Sequence, residues 1–188
     1  MDRKDIKILL LRGINVGGKN KVPMADLRQC LRELGYPDAL TYIASGNVAL
    51  GTDESCEGVR SRIEAALPRF FDLDDESIKV LVLTREKLRS VIEDKPEGFG
   101  DRPDEFHSDV LFLIDIEVDR VMPVFKPREG VDTIWPGDGV VYSQRLSAQR
   151  TKSRLSQVMG TPEYKQMTIR NWNTTMKLME MADNLNPS

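Results

Sequence analysis

The 188-residue chain carries 27 basic and 30 acidic residues, and 40% of its residues are hydrophobic. These proportions are typical of folded globular proteins and exclude the disordered, fibrous and membrane-spanning classes. Two cysteines without a Cys-x-x-Cys spacing and a single histidine do not favour a zinc site or any other metal centre.

The first half of the sequence predicts a split βαβ arrangement. The segment Ile6–Leu11 predicts a strand. Its aliphatic run, Ile8–Leu11, is too short for a signal sequence or a membrane span, which favours a cytoplasmic protein with no membrane partner. A glycine-rich loop and a helix from Pro23 to Leu34 follow. Short apolar runs around Ser45-Gly46-Asn47 predict a hairpin. A helix over 55–71 and a strand over 78–83 complete the order found in ferredoxin-like domains.

The second half repeats much of this order. A linker rich in proline, glycine and acidic residues, DKPEGFGDRPDE, separates the two halves. A strand over 110–114, a short helix over 118–124 and a hairpin over 133–142 come next. Helical segments then run to the end of the chain. The repeated order suggests a structural duplication in which the C-terminal helix replaces the last strand of the second copy.

These patterns predict an α+β fold with two ferredoxin-like (α/β plait) halves, the second half incomplete and closed by C-terminal helices. Residues 1–94 would form the first domain with a linking helix, and residues 106–188 the second. The strands at Ile8–Leu11 and Val110–Ile114 are apolar on both faces, whereas a sheet open on one side alternates. We therefore expect covered sheets and no RNA-binding sheet surface.

The sequence GINVGGKN, residues 13–20, differs by one residue from the phosphate-binding pattern G-x-x-x-x-G-K-[ST]. Asn20 lacks the hydroxyl that ligates Mg²⁺ in such a loop. Pro23 lacks the N–H that a helix beginning at Lys19 requires. We therefore expect the helix to begin at Pro23, which argues against a P-loop.

The loop still favours an anionic ligand. Its glycines allow backbone amides to approach a ligand closely, and Arg12 and Lys19 supply positive charge. Basic residues outnumber acidic ones from Met1 to Val22 and from Arg145 to Lys177, and these segments form a positive face if they meet. The segment TIRNWNTTMKLMEMA predicts a helix capped by Thr168 whose first turn contains an arginine, which is unfavourable unless an anion lies nearby.

Three segments carry a family resemblance. LLRGINVGGKNKVPMADL, TYIASGNVAL and TIRNWNTTMKL closely resemble the bacterial family catalogued as domain of unknown function 1697, and the similarity runs from Leu9 to about Leu178. The resemblance implies a two-part α+β structure built of ferredoxin-like plaits. It implies no established activity, ligand or cofactor.

We therefore expect a basic cleft between the two halves that binds a phosphate- or carboxylate-bearing ligand, a small anion or a nucleotide. The expected ligand-binding residues are Arg12, Asn15, Gly17, Gly18, Lys19, Ser45, Asn47, Lys152, Arg170 and Asn173. Two alternatives stay open: a nucleic-acid-binding protein that uses the basic N- and C-terminal segments, and a non-catalytic interaction protein that uses the C-terminal helix. No nucleophile with an adjacent base is recognisable, so the sequence names no reaction.

Overall fold

The structure, a computed structural model, describes residues 4–75 and 77–185. These residues form two compact units: the first comprises residues up to Arg89 together with those from Lys177 onward, and the second comprises Ser90–Met176. The domain limits at residues 94 and 106 stay a prediction, because a compact unit is not by itself an independently folding domain. No helix in the described residues has the length and apolar character needed to cross a membrane.

The first unit contains the expected ferredoxin-like arrangement. Its elements are β1 (Ile6–Leu11), α1 (Met24–Glu33), β2 (Leu40–Tyr42), β3 (Asn47–Gly51), α2 (Cys56–Phe70) and β4 (Val80–Thr84). The strands form one antiparallel sheet in the order β2-β3-β1-β4. The first strand thus lies between the third and the fourth, as in the split βαβ arrangement.

Both faces of β1 are buried. Leu9 and Leu11 pack with Leu27 of α1 in one apolar cluster. Ile8 and Leu10 point to the opposite face, because neighbouring residues of a strand alternate, and they are also fully buried. The burial of both faces confirms the expectation, and β1 offers no open surface on which bases could stack.

The second unit contains a sheet with the same strand order. The elements that follow β4 are α3 (Arg85–Glu93), β5 (Phe106–Leu113), α4 (Val118–Val121), β6 (Asp132–Gly137), β7 (Val140–Leu146), β8 (Met167–Asn171) and α5 (Trp172–Asn184). The strands β5 to β8 form one antiparallel sheet in the order β6-β7-β5-β8. Between β7 and β8 the chain forms 3-10 turns in place of a long helix like α2 of the first unit. The two sheets confirm the α+β class with two plait-like halves.

The C-terminal segment corrects one part of the prediction. Residues 167–171 form β8, so the expectation that a helix replaces the fourth strand is wrong. Two causes favour a strand here: the central strand β5 needs hydrogen-bond partners on its second edge, and β-branched Thr168 and Ile169 suit an extended backbone. Asn171, and not Thr168, caps α5, because its Oδ1 accepts a backbone N–H of the first turn at 2.8 Å. Arg170 therefore lies outside the helix, and the argument from the helix dipole fails.

The first unit joins segments that are distant in sequence. Asp183, near the end of α5, forms ion pairs with Arg85 at 2.6 Å and with Arg89 at 3.1 Å. Both arginines belong to the first turns of α3. Residues 177–185 thus complete a unit whose other described residues precede Ser90.

Candidate functional site

The glycine-rich loop forms a small hairpin, which we call the glycine hairpin (residues 15–20). The N–H of Asn15 donates to the carbonyl of Asn20, and the N–H of Lys19 donates to the carbonyl of Val16, both at 3.0 Å. The two residues between, Gly17 and Gly18, have φ values of 59° and 80°. Positive φ at both central positions is typical of a type I′ turn, which glycine adopts without steric cost.

The side chain of Asn15 holds the base of the glycine hairpin. Its Nδ2 donates to the carbonyls of Val22 at 2.9 Å and Ala44 at 2.8 Å, and its Oδ1 accepts the N–H of Val22 at 2.8 Å. Both amide hydrogens are thus used within the chain. Asn15 shapes the hairpin, and its side chain has no donor left for a ligand.

Asn20 ties the glycine hairpin to the segment that precedes β4. Its side chain is buried and donates to the carbonyl of Gly13 at 3.1 Å and to Oδ2 of Asp75 at 2.7 Å. Its Oδ1 accepts the N–H groups of Asp74 and Asp75, each at 3.0 Å. This position anchors the loop and places two carboxylates at its base.

The start of α1 agrees with the rejection of a P-loop. Pro23 has an extended backbone with φ −60° and ψ 135°, and the helix begins at Met24. The expected start at Pro23 is therefore one residue early. Lys19 lies in the hairpin turn and not at a helix N-terminus, so its geometry differs from that of a phosphate-binding lysine.

The tip of the glycine hairpin is exposed. Gly17, Gly18 and Lys19 are all solvent-accessible. Among the residues that the structure describes, no acceptor takes a hydrogen bond from the amides of Gly17 and Gly18, and no carboxylate pairs with Lys19. The tip therefore presents two backbone donors and one ammonium group to solvent.

Ser45 and Asn47 brace the turn between β2 and β3. Asn47 is fully buried, and its Nδ2 donates to the carbonyl of Tyr42 at 3.0 Å and to Oγ of Ser45 at 2.9 Å. Gly46 between them has a φ of 78°, and a Cβ there would lie 2.7 Å from Cβ of Leu11. The glycine of SGN is thus required by its positive φ and by close packing against the end of β1.

Arg12 connects the end of β1 to the segment that precedes β4. Its backbone N–H donates to the carbonyl of Lys79 at 2.9 Å, and its side chain is half-buried. The seven predicted site residues up to Asn47 all belong to the first unit. The other three belong to the second unit, on three different elements.

Arg170 is a buried residue of β8. Its Nη1 donates to Oγ1 of Thr168 and to the carbonyl of Ile169, both at 2.8 Å. Burial lowers the pKa of the guanidinium to about 10. These contacts tie Arg170 into the sheet.

Lys152 and Asn173 are exposed. Lys152 ends a 3-10 turn, and its carbonyl accepts a hydrogen bond from Nη1 of Arg128 at 3.5 Å. Asn173, in the first turn of α5, lines a pocket of about 110 Å³ with His107 and Trp172. The pocket belongs to the second unit.

Sequence reasoning missed a group of polar residues on one face of the second sheet. His107 and Asp109 of β5 lie opposite Arg145 and Ser143 of β7, respectively. We call these four residues the polar quartet. The available signal was a pair of polar residues two positions apart in each strand, H-x-D and S-x-R, because such residues share a face. The register that joins the two pairs was not readable from the sequence.

The electrostatics of the polar quartet centre on Asp109. Burial raises the pKa of its carboxyl group, although the nearby His107 and Arg145 oppose this shift. Nε2 of His107 lies 3.1 Å from Oδ1 of Asp109. Asp109, Ser143 and Arg145 also line a pocket of about 140 Å³. Its other walls are mostly apolar and comprise Leu111, Phe125, Leu155, Ser156, Val158, Met159 and Ile169.

Comparison with known proteins assigns the chain to a family. Residues 5–142 match the family DUF1697, described as protein of unknown function. The chain belongs to the DUF1697 family. The family that the sequence resembles is thereby confirmed.

A solved structure is similar to this DUF1697 chain along nearly its whole length. It is the structure of conserved bacterial protein SP0830 from Streptococcus pneumoniae, with 28% sequence identity and a TM-score of 0.77. The match covers 95% of this chain and 98% of that one. No curated protein matches the chain. The comparisons thus establish family and fold and carry no activity.

Proposed function

We propose that the protein binds a phosphate- or carboxylate-bearing ligand and that the tip of the glycine hairpin contacts its anionic group. The observation that carries the proposal is the pair of unbonded amides of Gly17 and Gly18 beside the exposed Lys19. Successive backbone amides in a turn form concave anion sites. A neighbouring ammonium group strengthens such hydrogen bonds.

The base of the glycine hairpin supports this assignment. Asn15 and Asn20 fix the loop through side-chain hydrogen bonds to the backbone, so the free donors at the tip are held in place before a ligand arrives. Preorganised donors lose little conformational entropy on binding. The carboxylates of Asp74 and Asp75 repel an anion from the base, which leaves the tip as the favoured position.

The proposal also includes the basic cleft between the two halves that the sequence suggests. Lys152 is the suitable probe of this part, because it is exposed. Arg170 is a poor probe, because it is buried and bonded within the sheet. Loss of Arg170 would perturb the fold together with any binding.

Thermal unfolding of the whole protein tests the proposal. The panel comprises inorganic phosphate, polyphosphate, nucleotides, sugar phosphates, dicarboxylates and short RNA and DNA, each at low and high salt. A ligand present at about 100 times its dissociation constant stabilises the native state by about 2.7 kcal/mol. We expect a small anion to raise the unfolding temperature and the shift to survive high salt.

Variants locate the site. Lys19→Gln should weaken the shift caused by the small anion, and Lys152→Gln should do so if the second unit contributes. The matched control is Lys165→Gln, an exposed lysine on another 3-10 turn, which should leave the shift unchanged. Equal shifts in Lys19→Gln and the wild type would contradict the assignment to the hairpin tip.

The same panel separates the two alternatives. A shift caused by any polynucleotide and erased by salt would favour a nucleic-acid-binding protein, because phosphate-backbone contacts weaken steeply with salt. No shift with any compound would favour an interaction protein that uses the C-terminal helix.

A further inference from the structure

The pocket beside the polar quartet carries opposite charges that do not pair with each other. Arg145 interacts electrostatically with Asp109 and Asp132. Among the described residues, however, its guanidinium forms no ion pair and donates no side-chain hydrogen bond. Within the described part of the chain, the one salt-bridge contact of Asp109 is with the imidazole of His107, which is charged only when it is protonated. A carboxylate and a guanidinium therefore line one pocket without neutralising each other directly.

The strand register explains this separation. Asp109 lies opposite Ser143, and Arg145 lies opposite His107, so Asp109 and Arg145 occupy diagonal positions on adjacent strands. Diagonal neighbours of an antiparallel pair are about 7–8 Å apart. Ser143, which lies opposite Asp109 and two residues before Arg145, also lines the pocket.

We propose that this pocket binds a small zwitterion with an apolar body, such as an α-amino acid with an apolar side chain. The carboxylate of Asp109 would accept hydrogen bonds from the ammonium group, and the guanidinium of Arg145 would bind the carboxylate. The apolar walls, including Leu111, Phe125 and Leu155, would surround the side chain. Pockets of mostly apolar lining with a few convergent polar groups are the usual form of small-molecule sites.

The chemistry of the two charged groups favours this class over singly charged ligands. An anion alone would leave the half-buried Asp109 carboxylate with only its contact to His107. An amine alone would give the Arg145 guanidinium no ion pair, because its interactions with Asp109 and Asp132 involve no direct contact among the described residues. Each omission costs the ligand a charge-assisted hydrogen bond. A zwitterion satisfies both groups within a pocket of about 140 Å³, which limits the ligand to a small molecule.

Ligand analogues test the charge requirement on the wild-type protein. The probes are L-leucine, leucinamide, which lacks the carboxylate, and N-acetyl-leucine, which lacks the ammonium group; binding is measured by calorimetric titration or by saturation-transfer NMR. L-leucine should bind about tenfold or more tightly than either analogue, because each lacks one charge-assisted contact. Binding of L-leucine no tighter than that of both analogues, or no binding of L-leucine, overturns the proposal.

Two variants assign each charge to its residue. In Arg145→Gln, L-leucine should bind no more tightly than leucinamide. In Asp109→Asn, L-leucine should bind no more tightly than N-acetyl-leucine. The matched control is Arg120→Gln, an exposed arginine of α4 outside the pocket, which should keep both preferences. Unchanged preferences in all three variants overturn the residue assignment.

This inference is independent of the anion site at the glycine hairpin. All residues that line the pocket belong to the second unit, and the hairpin belongs to the first. Lys19→Gln should therefore leave L-leucine binding unchanged. Failure of either proposal leaves the other testable on the same protein.

Discussion

The side chain of Asn20 donates a hydrogen bond to the carboxylate of Asp75 at 2.7 Å, across 55 positions of the sequence. This bond and its neighbours hold the glycine hairpin against the segment before β4. Asn20→Ala should therefore destabilise the protein by about 2–4 kcal/mol, because several polar groups would lose their partners in a buried position. Urea unfolding gives the measurement. The exposed Asn173→Ala serves as control and should change stability by less than about 0.5 kcal/mol.

Substitution of two glycines that have the same φ distinguishes the cost of backbone strain from the cost of a steric clash. Gly46 and Gly98 both have a φ of 78°, but a Cβ would lie 2.7 Å from Leu11 Cβ at Gly46 and would meet nothing within 4 Å at Gly98. Alanine at either site costs about 1–2 kcal/mol for the left-handed backbone. Gly46→Ala should cost a further ~1–3 kcal/mol for overpacking. Similar losses for both variants would show that Leu11 moves away without cost.

Asp109 and Asp132 should respond to neutralisation in opposite directions. Burial raises the pKa of Asp109. At Asp132 burial also favours the neutral acid, but the hydrogen bonds from Arg154, Ser153 and Arg128 and the charge of Arg145 outweigh it, so the pKa is lowered. A lowered pKa means that ionised Asp132 stabilises the fold above its unfolded-state pKa, and that this stability is lost as the pH falls through the folded-state pKa. A raised pKa means that ionised Asp109 destabilises the fold at neutral pH.

Stability curves against pH measure both effects. Asp132→Asn should lose about 1–2 kcal/mol at neutral pH, and the loss should vanish in acid. Asp109→Asn should be more stable than the wild type at neutral pH, with the gain disappearing as the pH falls through the raised pKa. A gain for Asp132→Asn at neutral pH would contradict the hydrogen bonds that we describe.

The two thiols should differ in reactivity. Cys30 is buried, and burial together with the charge of Glu33 raises its pKa to about 11, whereas Cys56 is half-buried. Thiolates are the reactive species, so a disulfide reagent at neutral pH should modify Cys56 in the native protein and Cys30 after unfolding. Cys56→Ser should abolish the native reaction. Rapid native modification of that variant would mean that α1 opens readily.

Local sequence signals were sufficient for most of the fold. The position of Pro23 excluded a helix at Lys19, and the glycines in VGGK predicted a loop, because both effects act within a few residues. The prediction for the segment at Thr168 was wrong because a distant part of the chain decides its structure. Its periodicity fits a helix, but the unpaired edge of β5 favours a strand there, and that edge exists only in the folded sheet.

The predicted site residues illustrate the same limit. Asn15 offers two donors in the sequence, yet both bond to the carbonyls of Val22 and Ala44. The Asp109–Ser143 pairing depends on the register of β5 and β7, which no local pattern specifies. Residue types predicted which chemistry is available. Tertiary contacts decide which of these donors and acceptors stay unbonded and can contact a ligand.

The ion pairs of Asp183 with Arg85 and Arg89 have a consequence for synthesis. The first unit includes residues from Lys177 onward, so it lacks part of its structure while the ribosome is still translating the second. The second unit is continuous in sequence, so all of its residues are synthesised before the first unit can fold completely. A segment that is made after the second unit thus completes a unit whose other residues are made before it.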